Sequence, residues 1–312
     1  MPSTRPFRFA VQAHGATNAR AWKETARHVE ALGYSTLYLP DHFSDQVGPI
    51  AALMAAADAT TRLRVGSLVF DNDYRHPVVL AKEAATIDLL SDGRFDLGLG
   101  AGWMSSDYQH AGLTYDSAGV RIERMEEGLR IIKGLMTGEA FSFTGKHYRI
   151  DNLEGSPRPA QKPHPPIVLG GGGRKMLGVA AREADIVNVN FDLRAGRINK
   201  ALVRTGLADA TDEKIGWVKE AAGDRLDQIE LSVTVFLCNV TDDRQEVAGM
   251  IGGGFGAEAR DVLEMPHFLI GNEDQIVEDL QRRRERYGIS YVIVPGEVAD
   301  ALAPVVERLL GT

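Results

Sequence analysis

The sharpest chemical signal in the sequence is the run Gly170–Gly173, followed by Arg174 and Lys175. The run follows an apolar strand pattern, Ile167–Leu169, and precedes a helical pattern that extends to about Glu183. Such a turn presents unpaired backbone N–H groups and the positive end of a helix dipole to an anion. The turn therefore predicts a site for the phosphate of a ligand. Its spacing matches neither the Walker pattern nor the dinucleotide fingerprint, which disfavours ATP and nicotinamide cofactors.

A second signal is the stretch Arg94–Trp103, in which large apolar residues alternate with glycines. This period-two pattern predicts a strand with one face free of side chains. Because glycine weakens a strand by about 0.5–1 kcal/mol relative to alanine, three alternating glycines indicate close approach of another group to the backbone. We expect a ligand at the end of this strand. The alternative is a tight turn in which the glycines only supply positive φ angles.

These two stretches belong to a regular alternation of strands and helices. Eight short strands are predicted, at Phe7–Ala13, Ser35–Pro40, Arg64–Phe70, Arg94–Trp103, Ile167–Leu169, Ile186–Asn190, Glu230–Cys238 and Tyr291–Pro295. Most are apolar on both faces, which is typical of parallel strands buried on both sides. We therefore predict an α/β fold, a (β/α)8 TIM barrel with insertions after strands 4, 6 and 7, in a single domain over residues 1–312.

Several connections are also predicted. The segments Met104–Ala118 and Gly252–Gly256 are expected to be loops, Phe141–Ile150 a small hairpin, and Pro157–Pro166 an extended crossing. Two doubly wound sheets are the alternative architecture, and the proline-rich crossing would then be the linker between them.

Polar residues follow several of the predicted strands. In a barrel of parallel strands the active site lies at the carboxyl ends of the strands, so these residues should share one opening. They are Gln12 and His14, Asp41 and His42, Leu68–Asn72, Gly100–Ser106, Gly170–Arg174, and Asn188 with Asn190. Taken singly, Asp41 and His42 could cap a helix and His14 could cover a turn.

The composition excludes several classes of function. A net charge of −8 disfavours binding to nucleic acid or to an anionic membrane surface. The longest uncharged run, Gln46–Ala57, is too short to span a bilayer, and the N-terminus lacks an apolar signal core, so we expect a cytoplasmic protein.

The single cysteine, Cys238, lies in an apolar segment, which indicates a buried, inert thiol. No His, Cys, Asp or Glu cluster has metal-ligand spacing.

Four stretches together resemble the bacterial luciferase-like monooxygenase superfamily, and the resemblance covers nearly the whole chain. They are Pro40–Phe43, His76–Glu83, Arg94–Trp103, and Pro166–Gly171 continuing through Ala184-Asp185. Within the superfamily the chain is most similar to the actinobacterial branch that uses the deazaflavin coenzyme F420, whereas other branches use FMN. The strand-four motif marks the superfamily but does not discriminate between the two cofactors.

The resemblance implies a role for each group of residues. Asp41 and His42 would be the catalytic residues and would lie beside the cofactor ring, with Asp41 in contact with the cofactor and His42 serving in proton transfer. The ring would rest on a backbone bulge at Leu68-Val69-Phe70, which in this family is often formed by a non-proline cis peptide bond. The phosphate would bind Gly170, Gly171, Gly172, Gly173 and Arg174. We expect Gly100 and Ser106 to contact the cofactor as well, and His14, Trp103 and Asn190 to contact the substrate.

Three functions are consistent with this resemblance. The first is hydride transfer between coenzyme F420 and a small organic substrate, expected to be apolar or conjugated. The second is an FMN-dependent monooxygenase that receives reduced flavin from a partner reductase, and the third is a non-catalytic flavin-binding relative. Glucose-6-phosphate dehydrogenases of the deazaflavin branch carry an acid where Trp103 stands here, which disfavours sugar phosphate oxidation. Members of the family commonly pair, so a homodimer is expected.

Overall fold

The computed structural model describes residues 5–197 and 199–312. Its strands are β1 (Arg8–Gln12), β2 (Thr36–Leu39), β3 (Arg64–Ser67), β4 (Phe70–Asp71), β5 (Phe95–Gly100), β6 (Ala140–Thr144), β7 (Arg149–Glu154), β8 (Ile167–Gly171), β9 (Ile186–Val189), β10 (Glu230–Thr234), β11 (Leu237–Val240), β12 (Phe268–Gly271) and β13 (Ile289–Pro295). Its helices are α1 (Ala19–Ala31), α2 (Pro49–Ala59), α3 (Pro77–Leu90), α4 (Ser105–Ala111), α5 (Ala118–Met136), α6 (Arg174–Glu183), α7 (Lys200–Arg204), α8 (Ala208–Ala222), α9 (Arg244–Phe255), α10 (Ala259–Glu264), α11 (Glu273–Tyr287) and α12 (Ala299–Leu309).

The main sheet confirms the predicted TIM barrel. Its strand order is β3-β2-β1-β13-β10-β9-β8-β5-β4, and β3 also pairs with β5, which closes the sheet on itself. The split pair β3 and β4 together occupies one of the eight barrel positions. Every pairing of the main sheet whose register is resolved is parallel, as in Val65↔Phe95 and Phe9↔Val292. The (β/α)8 fold is therefore built from the strands that the sequence pattern predicts.

By their internal contacts the residues fall into two compact units. The first consists of Gly170–Thr312 with two short segments, the described N-terminus up to Ala13 and Val29–Thr36. The second consists of His14–His28 and Leu37–Leu169. Whether residues 1–312 behave as a single domain stays a prediction.

Four local predictions were wrong in part. The predicted loop Met104–Ala118 contains α4, which ends at Gly112 in the left-handed conformation. The predicted loop Gly252–Gly256 is instead the last turn of α9 with its cap. A Cβ on Gly252 would lie 2.4 Å from the carbonyl oxygen of Ala257, and Gly256, with a φ of 72°, caps the helix. Here packing outweighs the low helix propensity of glycine.

The other two corrections concern strands. The predicted strand Glu230–Cys238 ends at Thr234, and Cys238 belongs to β11, which pairs in parallel with β12 in a separate two-stranded sheet. The predicted strand Arg64–Phe70 is interrupted between β3 and β4. The predicted hairpin is confirmed as the antiparallel pair β6 and β7. Among the described residues, no helix is both long and apolar enough to cross a membrane.

Candidate functional site

The glycines of β5 make room for the neighbouring strand. A Cβ atom placed on Gly98 would overlap the carbonyl oxygen of Ser67, and one placed on Gly100 would lie 2.5 Å from Cγ2 of Val69. Close approach to the β5 backbone is thus confirmed. The groups that approach at these two positions are the Ser67 carbonyl and the Val69 side chain, and the ligand expected at the end of the strand stays a prediction.

The peptide bond between Leu68 and Val69 is cis, which confirms the predicted non-proline cis bond. Leu68 N–H donates to the carbonyl oxygen of Leu39 at 2.8 Å, and the chain then rejoins β5 with Phe70 opposite Leu99. Leu68 and Val69 are half-buried, whereas Phe70 is fully buried. The half-buried pair can therefore offer an apolar surface to a ligand, and the Phe70 side chain belongs to the core.

Asp41 is held in an ion pair. The guanidinium of Arg75 donates to both of its carboxylate oxygens, at 2.6 and 3.1 Å, and the backbone N–H of Asp71 donates to Oδ2 at 3.1 Å. Because its side chain is only 6% exposed, the carboxylate depends on these partners. Through these bonds Asp41 connects the end of β2 to Asp71 and to the segment that follows β4.

His42 has a partner that the sequence analysis missed. Its Nδ1 lies 2.6 Å from Oδ2 of Asp107, and the hydroxyl of Tyr74 donates to the same oxygen at 3.2 Å. The Trp103 ring meets His42 edge-on, with 5.8 Å between ring centroids. Asp107 lies in the first turn of α4, within the segment predicted as a loop, so no periodic pattern singled it out.

A second buried carboxylate lies at the end of β4. Asp71 accepts a hydrogen bond from the Tyr108 hydroxyl at 3.1 Å and caps the turn that follows it through the backbone N–H of Asp73. Burial raises the pKa of Asp71 to about 7, with the neighbouring carboxylates of Asp73 and Asp41 adding to the rise. Such a shift in a carboxyl group is frequent at functional sites. Asp71 lies in the strand-end segment Leu68–Asn72, but its raised pKa was not predicted.

In the other unit, the four-glycine segment (Gly170–Gly173, the glycine turn) leads into α6 as predicted, but Gly170 and Gly171 are the last residues of β8 and only Gly172 and Gly173 connect the strand to the helix. Gly173 is the N-cap of α6, no side chain caps the helix there, and its first turn has no acidic residue. A Cβ on Gly172 would overlap the backbone of Phe191, whereas one on Gly173 would meet nothing nearer than 3.8 Å. The turn is packed on one side and has room at Gly173, where the nearest side chains are those of the ion pair Asp192 and Arg194.

Three residues near the glycine turn already have partners: Arg174 and Lys214 through their side chains, and Asn190 through its backbone. Arg174 donates to the carboxylate of Glu220 at 2.9 Å. The backbone N–H of Asn190 donates to the carbonyl oxygen of Gly171 at 2.9 Å, and the backbone carbonyl oxygen of Asn190 accepts from Nζ of Lys214 at 2.7 Å. Burial lowers the pKa of Lys214 to about 8. Lys214 was not predicted and supports the segment that packs on the turn.

The remaining predicted residues lie as follows. His14 is exposed, and its carbonyl oxygen accepts from the N–H of Val47. Ser106 is half-buried on α4, next to Asp107 in the chain. Cys238 is half-buried rather than fully buried, and burial raises its pKa to about 11, so the thiol stays protonated.

Comparison with known proteins identifies related sequences with two different cofactors. The chain is 33% identical over 154 residues to the FMNH(2)-dependent dimethylsulfone monooxygenase of Pseudomonas putida. The matched segment covers 49% of this chain and 41% of the relative. The chain is also 28% identical over 207 residues to the F420-dependent glucose-6-phosphate dehydrogenase of Amycolatopsis mediterranei (strain U-32), 64% of this chain and 58% of the relative. The matches thus span about half the length of these curated relatives.

A solved structure has the same fold. The coenzyme F420-dependent tetrahydromethanopterin reductase from Methanopyrus kandleri superposes with a TM-score of 0.78 over 98% of both chains, at 18% identity. At that identity the likeness concerns the fold alone. The family model for luciferase-like monooxygenases matches residues 4–251. The chain therefore belongs to the luciferase-like monooxygenase family.

Proposed function

We propose that this protein is a coenzyme F420-dependent oxidoreductase that transfers hydride between the deazaflavin and a small organic substrate. The observation that carries the proposal is the His42–Asp107 pair at the end of β2. Hydride transfer to or from an organic substrate is accompanied by a proton transfer, and a histidine oriented by a buried carboxylate is suited to it. The deazaflavin would supply the hydride chemistry. The protein would bind and orient the cofactor and the substrate and would exchange the proton with the substrate.

The glycine turn fits the phosphate of such a cofactor. Its backbone N–H groups open a helix of ten residues, α6, and no side chain of the turn fills the position beside Gly173. We propose that Gly170–Gly173 hold the phosphate through the backbone. Arg174 would assist only by exchanging its Glu220 partner for the anion.

The cis segment fits an apolar ring. Leu68 and Val69 are half-buried at the end of β3, and the β5 glycines allow the strand to bulge there. We propose that these two residues support the ring and that Gly100 and Ser106 lie beside it. Trp103, which contacts His42, is proposed to contact the substrate together with His14 and Asn190.

A second function has a specific observation in its favour. The similarity to an FMNH(2)-dependent monooxygenase reaches 33% identity, so FMN with a partner reductase is the alternative. On the family resemblance we also propose a cytoplasmic homodimer. Light scattering at micromolar protein concentration tests the dimer.

The deciding experiment titrates the purified protein with F420 and with FMN, followed by turnover of the cofactor that binds. Tighter binding of F420 and its oxidation or reduction by small organic substrates are expected. Preference for FMN would overturn the first proposal in favour of the monooxygenase, and tight binding without turnover would favour a non-catalytic relative. His42→Ala should lower turnover by about 10²-fold with little change in cofactor affinity.

The glycine turn is tested by Gly173→Val, because Gly172 packs against backbone and its substitution would disturb the fold. Gly173→Val should weaken F420 or FMN binding by about tenfold, because the added side chain would keep the phosphate away from the N-terminus of α6 and remove that favourable interaction. Binding of the phosphate-free analogues, the deazaflavin core or riboflavin, should be unchanged. Gly178→Ala on the same helix, where a Cβ meets only the flexible end of Arg182, is the control.

A further inference from the structure

The contact between His42 and Asp107 has a directional consequence that goes beyond the proposed function. The Asp107 side chain is 7% exposed and accepts two hydrogen bonds at one oxygen, from His42 and from Tyr74. The His42 side chain is 20% exposed, so part of the ring reaches solvent. The contact therefore fixes which end of the imidazole faces the protein.

The chemistry of the two groups decides the position of the proton. An ionised carboxylate only accepts hydrogen bonds, so the histidine nitrogen that faces it at 2.6 Å must carry hydrogen. In a neutral imidazole one nitrogen bears the proton and the other bears a lone pair. With the proton on Nδ1, the lone pair is on Nε2.

The fold holds the carboxylate in place. Asp107 lies in the first turn of α4, and its backbone N–H donates to the carbonyl oxygen of Met104 at 3.1 Å. Tyr74 comes from the turn after β4, where Asp71 caps the chain, and its hydroxyl approaches Asp107 from a different element than His42 does. The carboxylate is thus fixed by its own helix and by a second hydrogen bond.

We propose that Asp107 is the positioning residue that holds His42 with its proton on Nδ1 and leaves Nε2 as the basic atom that exchanges a proton with the substrate. The role of Nε2 rests on the proposed function, but the tautomer does not. Asp107 touches neither cofactor nor substrate in this proposal. It acts only through His42, as the carboxylate of a Ser-His-Asp triad acts through its histidine.

The tautomer is measured by ¹⁵N NMR of the histidine side chains in the cofactor-free protein. The His42 signal is assigned by its loss in His42→Gln. Wild type is expected to show Nδ1–H at pH above the titration of the ring, and Asp107→Asn is expected to shift His42 to a mixture or to Nε2–H. Asp45→Asn, an exposed acid with the same change of charge, should leave the signal unchanged.

Two results would overturn the proposal: an Nε2–H tautomer in wild type, or an Nδ1–H tautomer that persists in Asp107→Asn. The wild-type measurement needs no variant, so it decides even if Asp107→Asn folds poorly. A wild-type Nδ1–H signal in a protein that turns over neither F420 nor FMN would leave the positioning intact and count only against the proposed function.

Turnover provides the second measurement, with whichever cofactor binds. Asp107→Asn should lower kcat by about 10²-fold or more, with little change in KM and in cofactor affinity. Tyr74→Phe removes one hydrogen bond but keeps the His42 contact, so it should lower kcat by about tenfold or less. Equal losses in both variants would show that packing of this region, not the tautomer, sets the rate.

Discussion

His267 should make the protein less stable in mild acid. It is fully buried, its Nδ1 lies 2.9 Å from the carbonyl oxygen of Thr234, and Nε2 has no hydrogen-bond partner among the described residues. Its ring packs on Phe191, with 4.3 Å between centroids. Burial lowers the pKa of His267 from 6.5 to about 3, helped by the positive charges of Lys214 and Arg283.

Acid destabilises the fold because only the unfolded chain can take up a proton at His267. Below pH 6.5 the unfolded chain takes up a proton at this histidine and the folded protein does not, so stability falls as the pH falls from 6.5 towards 3. A pH of 5 lies 1.5 units below the pKa of this histidine in the unfolded chain. At about 1.4 kcal/mol per pH unit, the free energy of unfolding is about 2 kcal/mol lower at pH 5 than at pH 7. Phe191 packs on Gly172, so the glycine turn should loosen along with this region.

The assay compares urea unfolding of wild type and His267→Asn at pH 7 and pH 5. Asn can still donate a hydrogen bond but does not titrate, so the variant should lose about 2 kcal/mol less than wild type over this interval. The comparison cancels the other titrating groups, which both proteins share. In addition, the NMR signal of His267 should stay at its neutral position down to pH 5. Equal losses in both proteins, or titration of His267 near pH 6.5, would refute the reasoning.

Three further outcomes are expected. Gly98→Ala should cost about 3 kcal/mol or more of unfolding free energy, because the added Cβ would overlap the backbone of the adjacent strand, whereas Gly216→Ala, in open space on α8, should be neutral or slightly stabilising. Arg75→Met should destabilise by about 3 kcal/mol by leaving Asp41 unpaired, and adding Asp41→Asn should recover part of the loss in the same denaturation assay. Cys238, whose pKa is raised to about 11, should react with iodoacetamide at pH 7.5 at least about tenfold more slowly in the folded than in the unfolded protein.

The sequence pattern predicted the barrel because parallel strands buried on both faces leave a signal in the residues themselves. It did not predict β12, because Phe268–Gly271 pairs with β11 outside the repeating alternation. It also missed the end of α9, where contacts of Gly252 outweigh its low helix propensity.

The candidate site was predicted unevenly for the same physical reason. His42 and the glycine turn follow strands and could be located by that rule. Asp107 lies on a short helix of seven residues, and Asp71 gains its raised pKa from burial and from side chains distant in sequence. Contacts between distant segments leave no periodic pattern.

The fit of the Ser67 carbonyl against Gly98 couples two segments about thirty residues apart in the chain. Neither segment can change alone: a bulge without the glycine would collide with β5, and a glycine without the bulge would leave a gap in the barrel wall. A change in one segment should therefore be tolerated only with a matching change in the other, and a design that grafts one segment into another barrel must graft both. The alternating glycines thus follow the shape of the neighbouring strand, and their spacing reports this backbone contact and not the chemistry of a bound ligand.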